Sequence, residues 1–351
     1  MPSERQKQLS AVSTIIADYR EKEKPRIASR NPELIDAWLT QFPKAMQEPI
    51  LLTLAHVFSR TYVSEEMFRQ FLAGLATNTK LCSGERPNDY WRKANLLRIQ
   101  KGGSSQDEFL ETFDDVLQSV HGFGIAESGS EDGDFIYLDD CIATGNRVRR
   151  DVCEWLATET PVKLKLHIIT PIRYEGSYWV DAKIHEAAKS NGKTISITKW
   201  RLENFEMENR KNRRNEADVL WPSKLPTDPD VEVYGKYLAS LGFAPELRSP
   251  GNPGRSRIFR NDEEKVLLEQ AFLVRGCQIR REQSSLPDNL RPLGYHNLSC
   301  LGFGSMFVTY RNCPNNCPLP FWVEQKEFPA LFPRKTNTNS ADEKFLKEFL
   351  R

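Results

Sequence analysis

Short apolar segments of strand length alternate with amphipathic segments of helical period between residues 90 and 200, and this alternation limits the fold more than any other feature. Strands are predicted at 95–100, 135–138, 162–170 and 194–200, with helices between them at 107–120, 145–157 and 177–190. Strand–helix–strand units of this kind form right-handed crossovers around a parallel sheet. We therefore predict an α/β core.

The segments on either side of this core are predicted to be mainly helical. Residues 1–85 carry apolar side chains at helical spacing up to a break that contains Gly and Pro, which predicts an all-helical N-terminal domain. The core then covers 86–220, and a helical C-terminal insertion covers 221–290. A strand-containing segment at 291–335 completes the core and includes a hood, a segment expected to cover the site.

Composition excludes several classes of protein. Lys and Arg number 49 against 48 Asp and Glu, and a net charge of +1 is not that of a globally basic nucleic-acid binder. No apolar run approaches the roughly 20 residues that cross a bilayer, and the charged N-terminal segment lacks the features of a signal peptide. Seven scattered cysteines suit a reducing compartment. We expect a cytoplasmic protein without a membrane partner.

One segment of the core carries recognisable chemistry. An apolar strand at 135–138 is followed by Asp139 and Asp140, a short loop with Thr144 and Gly145, and then a helix. Ligands of open α/β sheets lie beyond the carboxyl ends of the strands, and backbone N–H groups at a helix N-terminus bind anions. The two carboxylates can accept hydrogen bonds from vicinal hydroxyls or hold a hard cation. The segment therefore predicts a site for a phosphorylated sugar.

This segment, Leu138-Asp139-Asp140-Cys141-Ile142-Ala143-Thr144-Gly145, resembles the phosphoribosyl-pyrophosphate signature of the type I phosphoribosyltransferases. The resemblance implies a parallel-sheet core of that type. It also implies that Asp139 and Asp140 contact the ribose 2- and 3-hydroxyls and hold Mg²⁺, directly or through water. The 5-phosphate would be bound by Ala143, Thr144, Gly145, Asn146 and Arg147. The family usually has small residues where Asn146 and Arg147 stand.

A second loop supports the same interpretation. Lys101, Gly102, Gly103 and Ser104 follow one predicted strand and precede a helix. They look like the pyrophosphate loop of purine phosphoribosyltransferases, in which an ammonium group and bared backbone N–H groups receive the leaving group. The resemblance implies that Lys101, together with the two aspartates, takes part in catalysis. An ordinary surface turn is the alternative for this loop.

The candidate hood lies at 294–322 and contains the turn Pro314-Asn315-Asn316. Asn315 and Asn316 can donate and accept hydrogen bonds, which suits an acceptor base or a phosphate, but a purely structural turn more often explains such residues. The helical N-terminal extension and this turn resemble the phosphoribosyltransferase-like proteins of bacterial conflict and anti-phage systems. That resemblance implies partner proteins of a defence system.

Three functions remain open at this point. The first is an enzyme that binds phosphoribosyl pyrophosphate or a nucleotide with Mg²⁺ and transfers or releases the ribosyl group. The second is a sensor that binds the same ligand without chemistry and signals to partner proteins. The third is a nucleic-acid-associated effector that uses basic residues at 201–217, which more often form a solvated helix, and at 248–260.

A structural zinc site is a further possibility that the sequence leaves open. His296, Cys300, Cys313 and Cys317 carry the four donor atoms that zinc requires, but their spacing is loose, and ordinary free thiols are the expected alternative.

Overall fold

The computed structural model describes residues 2–101, 105–158, 160–207, 217–248, 256–296 and 301–335. The chain divides into two compact units. Met1–Glu65 and Met207–Lys335 form the first, named here the helical unit, and Glu66–Glu206 form the body of the second, the sheet unit. The domain boundaries predicted near 85, 220 and 290 stay predictions.

The α-helices are α1 (Glu4–Ile15), α2 (Pro32–Leu39), α3 (Lys44–Thr61), α4 (Glu65–Ala76), α5 (Pro87–Lys93), α6 (Ser105–His121), α7 (Asn146–Leu156), α8 (Trp179–Ser190), α9 (Pro229–Ser240), α10 (Asp262–Glu282) and α11 (Leu319–Trp322). The strands are β1 (Tyr62–Val63), β2 (Asn95–Leu96), β3 (Phe135–Leu138), β4 (Cys141–Ile142), β5 (Lys163–Ile169), β6 (Ile172–Tyr174), β7 (Thr194–Trp200), β8 (Glu206–Met207), β9 (Leu290–Arg291), β10 (Gly294–Tyr295) and β11 (Val308–Thr309).

The sheet unit confirms the predicted α/β class. Its main sheet has the order β2–β3–β5–β7, and all three pairings are parallel. Helices α6, α7 and α8 connect successive strands, as the alternation predicts. The strand predicted at 95–100 ends at Leu96, because the backbone N–H groups of Ile99 and Gln100 donate to a side chain, that of Gln106, and not to a neighbouring strand.

The core of the sheet unit lies between the main sheet and the helices α7 and α8. Leu166 and Ile168 of β5 pack in one buried cluster with Val152 of α7 and Ile184 of α8, and each is at most 1% exposed. Full burial of such an aliphatic side chain stabilises the fold by roughly 1.5–3 kcal/mol. This cluster fixes α7, and therefore its N-terminus, against the sheet.

A polar network on the sheet unit surrounds His167, which is 1% exposed. The indole Nε1–H of Trp200 donates to His167 Nδ1 at 2.8 Å, so Nδ1 is unprotonated and the ring proton lies on Nε2, 3.2 Å from Asp134 Oδ2. Lys165 Nζ and Tyr90 Oη reach the same oxygen at 2.9 and 3.0 Å. Burial alone would raise the pKa of Asp134, but these three donors outweigh it and lower the pKa to about 2.

The helical unit joins the beginning of the chain to its C-terminal part. Helix α2 begins after Asn31, whose side chain caps it by accepting from Leu34 N at 2.9 Å. Trp38 of α2 stacks on Phe321 with ring centroids 6.0 Å apart, and its indole N–H donates to Pro320 O at 2.8 Å. The N-terminal helices therefore pack against a segment nearly 300 residues later, a contact that no local sequence pattern specifies.

A buried ion pair ties α10 of the helical unit to the segment after α9. Arg248 Nη2 lies 2.7 Å from Glu269 Oε2, and the two side chains are 1% and 2% exposed. Lys265 on the same helix donates to Ala217 O at 2.6 Å, and burial lowers the pKa of its ammonium group to about 8. Groups buried in this way are stable only with their partners in place.

The prediction of a helix over 201–217 is wrong for residues 201–207, which the structure describes. Residues 201–207 form a turn followed by β8, because Asn204 has a left-handed φ of 65° that interrupts a helix. The rest of the segment, 208–216, lies outside the described residues, as do 249–255 of the second basic segment. Arg201 pairs with Glu206 at 2.9 Å and Arg260 with Glu264 at 2.6 Å, so part of the basic charge is neutralised internally. Binding of nucleic acid stays a prediction.

No helix in the described ranges combines the length and the apolar character that a bilayer span needs.

Candidate functional site

A buried glutamine holds two strand ends of the sheet unit side by side. Gln106, in the first turn of α6, is 2% exposed. Its Oε1 accepts from the backbone N–H groups of Ile99 and Gln100 at 2.7 and 3.0 Å, and its Nε2 donates to Leu138 O at 3.3 Å. The chain leading into the Lys101 loop therefore lies next to the end of β3, where the two aspartates begin.

Asp139 is the inner member of the aspartate pair and is 2% exposed. Its Oδ1 accepts from Asp140 N at 2.9 Å, and Tyr137 Oη donates to Oδ2 at 3.4 Å. Burial raises the pKa of Asp139 to about 7, the negative charge of Asp140 adds to the rise, and Arg147 together with a hydrogen bond from Ser105 opposes it. The first residue of α6 therefore contacts the inner carboxylate.

A second buried carboxylate shares the same tyrosine. Tyr137 Oη lies 3.0 Å from Asp151 Oδ2 on α7, and both side chains are buried. Burial raises the pKa of Asp151 as well. Tyr137 thereby links the end of β3 to the second turn of α7, which sets the position of the loop between them.

Asp140 differs from its neighbour because it is half-buried and not enclosed. Arg147, an exposed residue in the first turn of α7, lies in the field of both aspartates. Partial desolvation lowers the pKa of its guanidinium, but the charges of Asp139 and Asp140 outweigh that effect and raise the pKa. The outer carboxylate and the guanidinium therefore form a charged rim at the start of α7.

The loop between the aspartates and α7 is narrow and needs glycine at its end. Cys141 and Ile142 form β4, which pairs in parallel with β6. Gly145 has a left-handed φ of 81°, and a Cβ at this position would lie far inside van der Waals contact of Val180 Cγ2 on α8. Close packing on α8 therefore requires a glycine at the end of this loop.

The N-terminus of α7 is suited to an anion. The helix begins after Gly145, which has no side chain to cap it, and no acidic residue occupies its first turn. Helices α2 and α10, in contrast, are capped by the side chains of Asn31 and Asn261. Thr144 is half-buried and Asn146 is exposed beside this terminus. Backbone N–H groups at a helix N-terminus, the helix dipole and a nearby guanidinium together favour a phosphate.

Lys101 is directed to another part of α7. Its Nζ pairs with Glu154 Oε2 at 2.7 Å, and its side chain is 77% exposed. Glu154 lies eight residues after the start of α7, which is roughly 12 Å along the helix axis. The structure therefore does not bring the ammonium to the helix N-terminus. Gly102, Gly103 and Ser104 lie outside the described residues. A role of this loop in holding pyrophosphate stays a prediction.

The two hood asparagines belong to the helical unit. Asn316 is 7% exposed and its Nδ2 donates to Tyr295 O at 2.9 Å, while Asn315 O accepts from Tyr295 N at 2.7 Å. They therefore tie the turn to the preceding hairpin, which is the structural alternative that the sequence left open. Contact of Asn315 and Asn316 with an acceptor stays a prediction.

The four side chains that could bind zinc are only partly described. Cys313 and Cys317 are buried, and their thiols donate to Pro314 O and Phe307 O at 3.6 and 3.4 Å. Burial raises the pKa of Cys317 well above its usual value. Cys300 lies outside the described residues. The free-thiol alternative fits these two cysteines.

Sequence reasoning missed Gln106, Tyr137 and Asp151. A signal existed for two of them. Tyr137 lies two residues before Asp139 on a strand, so both side chains emerge on the same face. Asp151 lies three residues after Val148 and therefore on the apolar face of α7, where a carboxylate needs a buried partner. Gln106 has no comparable signal, because its partners are backbone groups.

Comparison with known proteins relates the chain to a family. A family model described as PRTase-CE matches residues 35–334. No curated protein and no solved structure matches the chain. The matched range includes the aspartate pair, the loop and the start of α7.

Proposed function

Because the chain belongs to PRTase-CE, a phosphoribosyltransferase-like family, we propose that it binds a phosphoribosyl donor with Mg²⁺ and transfers or releases the ribosyl group. The observation that carries this proposal is the N-terminus of α7, which begins after Gly145 without an acidic residue in its first turn and has Arg147 in the field of the aspartate pair. A type I phosphoribosyltransferase core and the role of each residue below are parts of the proposal.

The 5-phosphate of the donor occupies the loop Ala143–Arg147. Backbone N–H groups of the first turn of α7 donate to its oxygens, and Arg147 supplies a positive charge. Gly145 keeps this loop against α8, so the donor groups are oriented before the ligand arrives. Preorganisation of this kind favours binding because little is ordered when the ligand enters.

The ribose hydroxyls are held chiefly by Asp140. Its half-buried carboxylate accepts hydrogen bonds, whereas Asp139 already accepts from Asp140 N and Tyr137 Oη. Asp139 therefore positions the backbone of Asp140. It contacts the ribose only through carboxylate lone pairs that do not already accept from Asp140 N or Tyr137 Oη. This assigns unequal roles to the two acids of the motif.

The reaction breaks the bond between ribose C1 and the pyrophosphate oxygen, and the leaving oxygen keeps the electron pair. A lone pair of the acceptor then forms the new bond to C1 of an oxocarbenium-like ribosyl group. The protein contributes orientation and charge neutralisation more than a strong base. Lys101 would exchange Glu154 for the leaving pyrophosphate, which the loop at 102–104 would help to hold.

The residues present fit a Mg²⁺ that arrives with the donor. In the described part of the chain no group of three or more His, Cys, Asp or Glu side chains is placed to hold a metal ion. Mg²⁺ characteristically binds through one or two carboxylates, waters and substrate phosphates. Asp140 supplies one such carboxylate, with Asp139 behind it. When bound, Mg²⁺ neutralises the developing charge on the pyrophosphate.

The test measures ribose 5-phosphate and donor binding by calorimetry and pyrophosphate release by ³¹P NMR, with Mg²⁺ present. We expect Asp140→Asn and Arg147→Ala to weaken binding by about 10- to 100-fold, the effect of losing a hydrogen bond to a charged group. Lys183→Ala is the control, because it removes an exposed charge paired with Glu186 on α8. Equal affinity of all four proteins for ribose 5-phosphate would refute the proposed site.

A sensor is the second candidate, favoured by one observation. The ammonium of Lys101 is already paired with the carboxylate of Glu154. The positive charge that a leaving pyrophosphate requires is therefore less available than the N–H groups and guanidinium proposed to bind the 5-phosphate. Donor binding without pyrophosphate release, with any of a base, a nucleotide or water as acceptor, would select the sensor. A role as an effector in anti-phage defence completes either proposal, and phage plating on cells with the wild type or Asp140→Asn tests it.

A further inference from the structure

One wall of the phosphate loop is formed by the chain that leaves β6. Strand β6 pairs in parallel with β4, with Cys141 opposite Ile172 and Ile142 opposite Arg173. The chain then continues through Tyr174 into a short 3₁₀ helix, Glu175–Tyr178, and into α8. A Cβ at Gly145 would lie 3.6 Å from Ser177 Cβ, so this 3₁₀ turn lies directly against the end of the loop.

Tyr178 is the exposed residue of this wall. Its neighbours Ser177 and Val180 are at most 1% exposed, whereas Tyr178 is 76% exposed. In the part of the chain that the structure describes, no other aromatic side chain is exposed to this degree. A tyrosine ring presents a large apolar face with little conformational freedom, and beside the loop that ends at Gly145 it offers a surface on which a planar group can stack.

The wall that carries Tyr178 is held rigidly. Arg173 Nε donates to Glu206 Oε1 at 3.0 Å, which fixes β6 below it. Ser177 Oγ donates to Tyr174 O at 2.7 Å and closes the turn. Gly176 packs under the ring of Tyr174, where a Cβ would lie 2.5 Å from ring carbons. The backbone under Tyr178 is therefore preorganised.

We propose that the ring of Tyr178 stacks on a nucleobase of a ligand whose 5-phosphate lies at Ala143–Arg147, so that the site selects nucleotides over simple sugar phosphates. This inference rests on the proposed function, because that function places the phosphate. Stacking on an aromatic side chain is tolerant of base identity, since every base has a π-face. Tyr178 is thus a specificity residue that acts on the part of the ligand beyond the ribose.

Calorimetric titration of the full chain with AMP, CMP and ribose 5-phosphate tests the inference. We expect both nucleotides to bind the wild type more tightly than ribose 5-phosphate. Tyr178→Ala should weaken nucleotide binding by about 5- to 150-fold, the effect of losing one base–aromatic stack, and leave ribose 5-phosphate unchanged. Tyr178→Phe, which keeps the ring, should bind nucleotides within about twofold of the wild type.

Val162→Ala is the matched control, because it removes apolar surface at another exposed position of the sheet unit, 69% exposed. The inference is overturned if ribose 5-phosphate binds the wild type as tightly as AMP and CMP, or if Tyr178→Ala weakens all three ligands equally. Loss of nucleotide binding in Tyr178→Phe would also overturn it, since the hydroxyl and not the ring would then be the contact. If ribose 5-phosphate itself fails to bind, the proposed function fails and this inference fails with it.

Discussion

Replacing Gly145 by alanine tests whether the loop before α7 is set by its packing on α8. Gly145 has φ 81°, and an added Cβ would overlap Val180 Cγ2. The left-handed backbone costs a residue with a side chain about 1–2 kcal/mol, and a forced overlap in a packed core costs about 1–3 kcal/mol more. We expect Gly145→Ala to destabilise the sheet unit by about 2–5 kcal/mol in all.

Gly84→Ala provides the matched control for the backbone contribution. Gly84 also belongs to the sheet unit and has φ 85°, but its Cβ position has no neighbour within 4 Å. It should therefore cost only the backbone part, about 1–2 kcal/mol. The difference between the two variants isolates the contact with Val180.

Hydrogen exchange of peptides from β3 and β5, followed over a urea series, reports the stability of the sheet unit on its own. The double variant Gly145→Ala/Val180→Ala should be less destabilised than the sum of the single changes, because the shorter side chain removes the overlap. If Gly145→Ala costs no more than Gly84→Ala, or if the two changes at 145 and 180 are additive, the packing argument for this loop is refuted.

Three further predictions concern buried polar groups. Because the pKa of Asp134 is lowered from 3.8 to about 2, its contribution is complete above pH 4 and is lost as the pH falls to 2. Between pH 4 and pH 2 the free energy of unfolding should therefore fall by about 1–2 kcal/mol less in Asp134→Asn than in the wild type, as measured by acid unfolding followed by circular dichroism. Glu269→Gln should destabilise the helical unit by about 3–5 kcal/mol in urea, because the Arg248 guanidinium remains buried without its charge partner; unchanged stability would contradict the burial of the pair. Gln106→Ala removes the hydrogen-bond partner of Ile99 N, Gln100 N and Leu138 O, and it should raise the hydrogen-exchange rate at Ile99 more than in β5. An equal increase at both places would show that Gln106 does not hold the strand ends.

The sequence allowed the regular elements of the sheet unit to be predicted because their signals are local. The bounds of β3 agree with the prediction, and those of α7 and α8 differ from it by one or two residues. Each segment has apolar residues at the spacing typical of the strand or helix that it forms. The failures have non-local or single-residue causes. A side chain of α6 ends the strand predicted at 95–100, and one left-handed residue, Asn204, interrupts the helix predicted at 201–217. The pairing of Trp38 with Phe321 depends on a tertiary contact that leaves no periodic pattern.

The candidate site shows a similar limit, and Asp139 and Asp140 explain it. Consecutive side chains in extended backbone emerge on opposite faces, so two adjacent acids at the end of β3 cannot both point away from the core. The register makes Tyr137 and Asp139 face inward together, which accounts for their contact and for the burial of Asp139. In the proposed function Asp140 would therefore carry the ligand contact, while Asp139 accepts from the backbone N–H of Asp140 and so orders the turn that follows. A motif of two acids indicates two candidate positions, but the alternation of the strand decides which carboxylate is buried and which one stays accessible to a ligand.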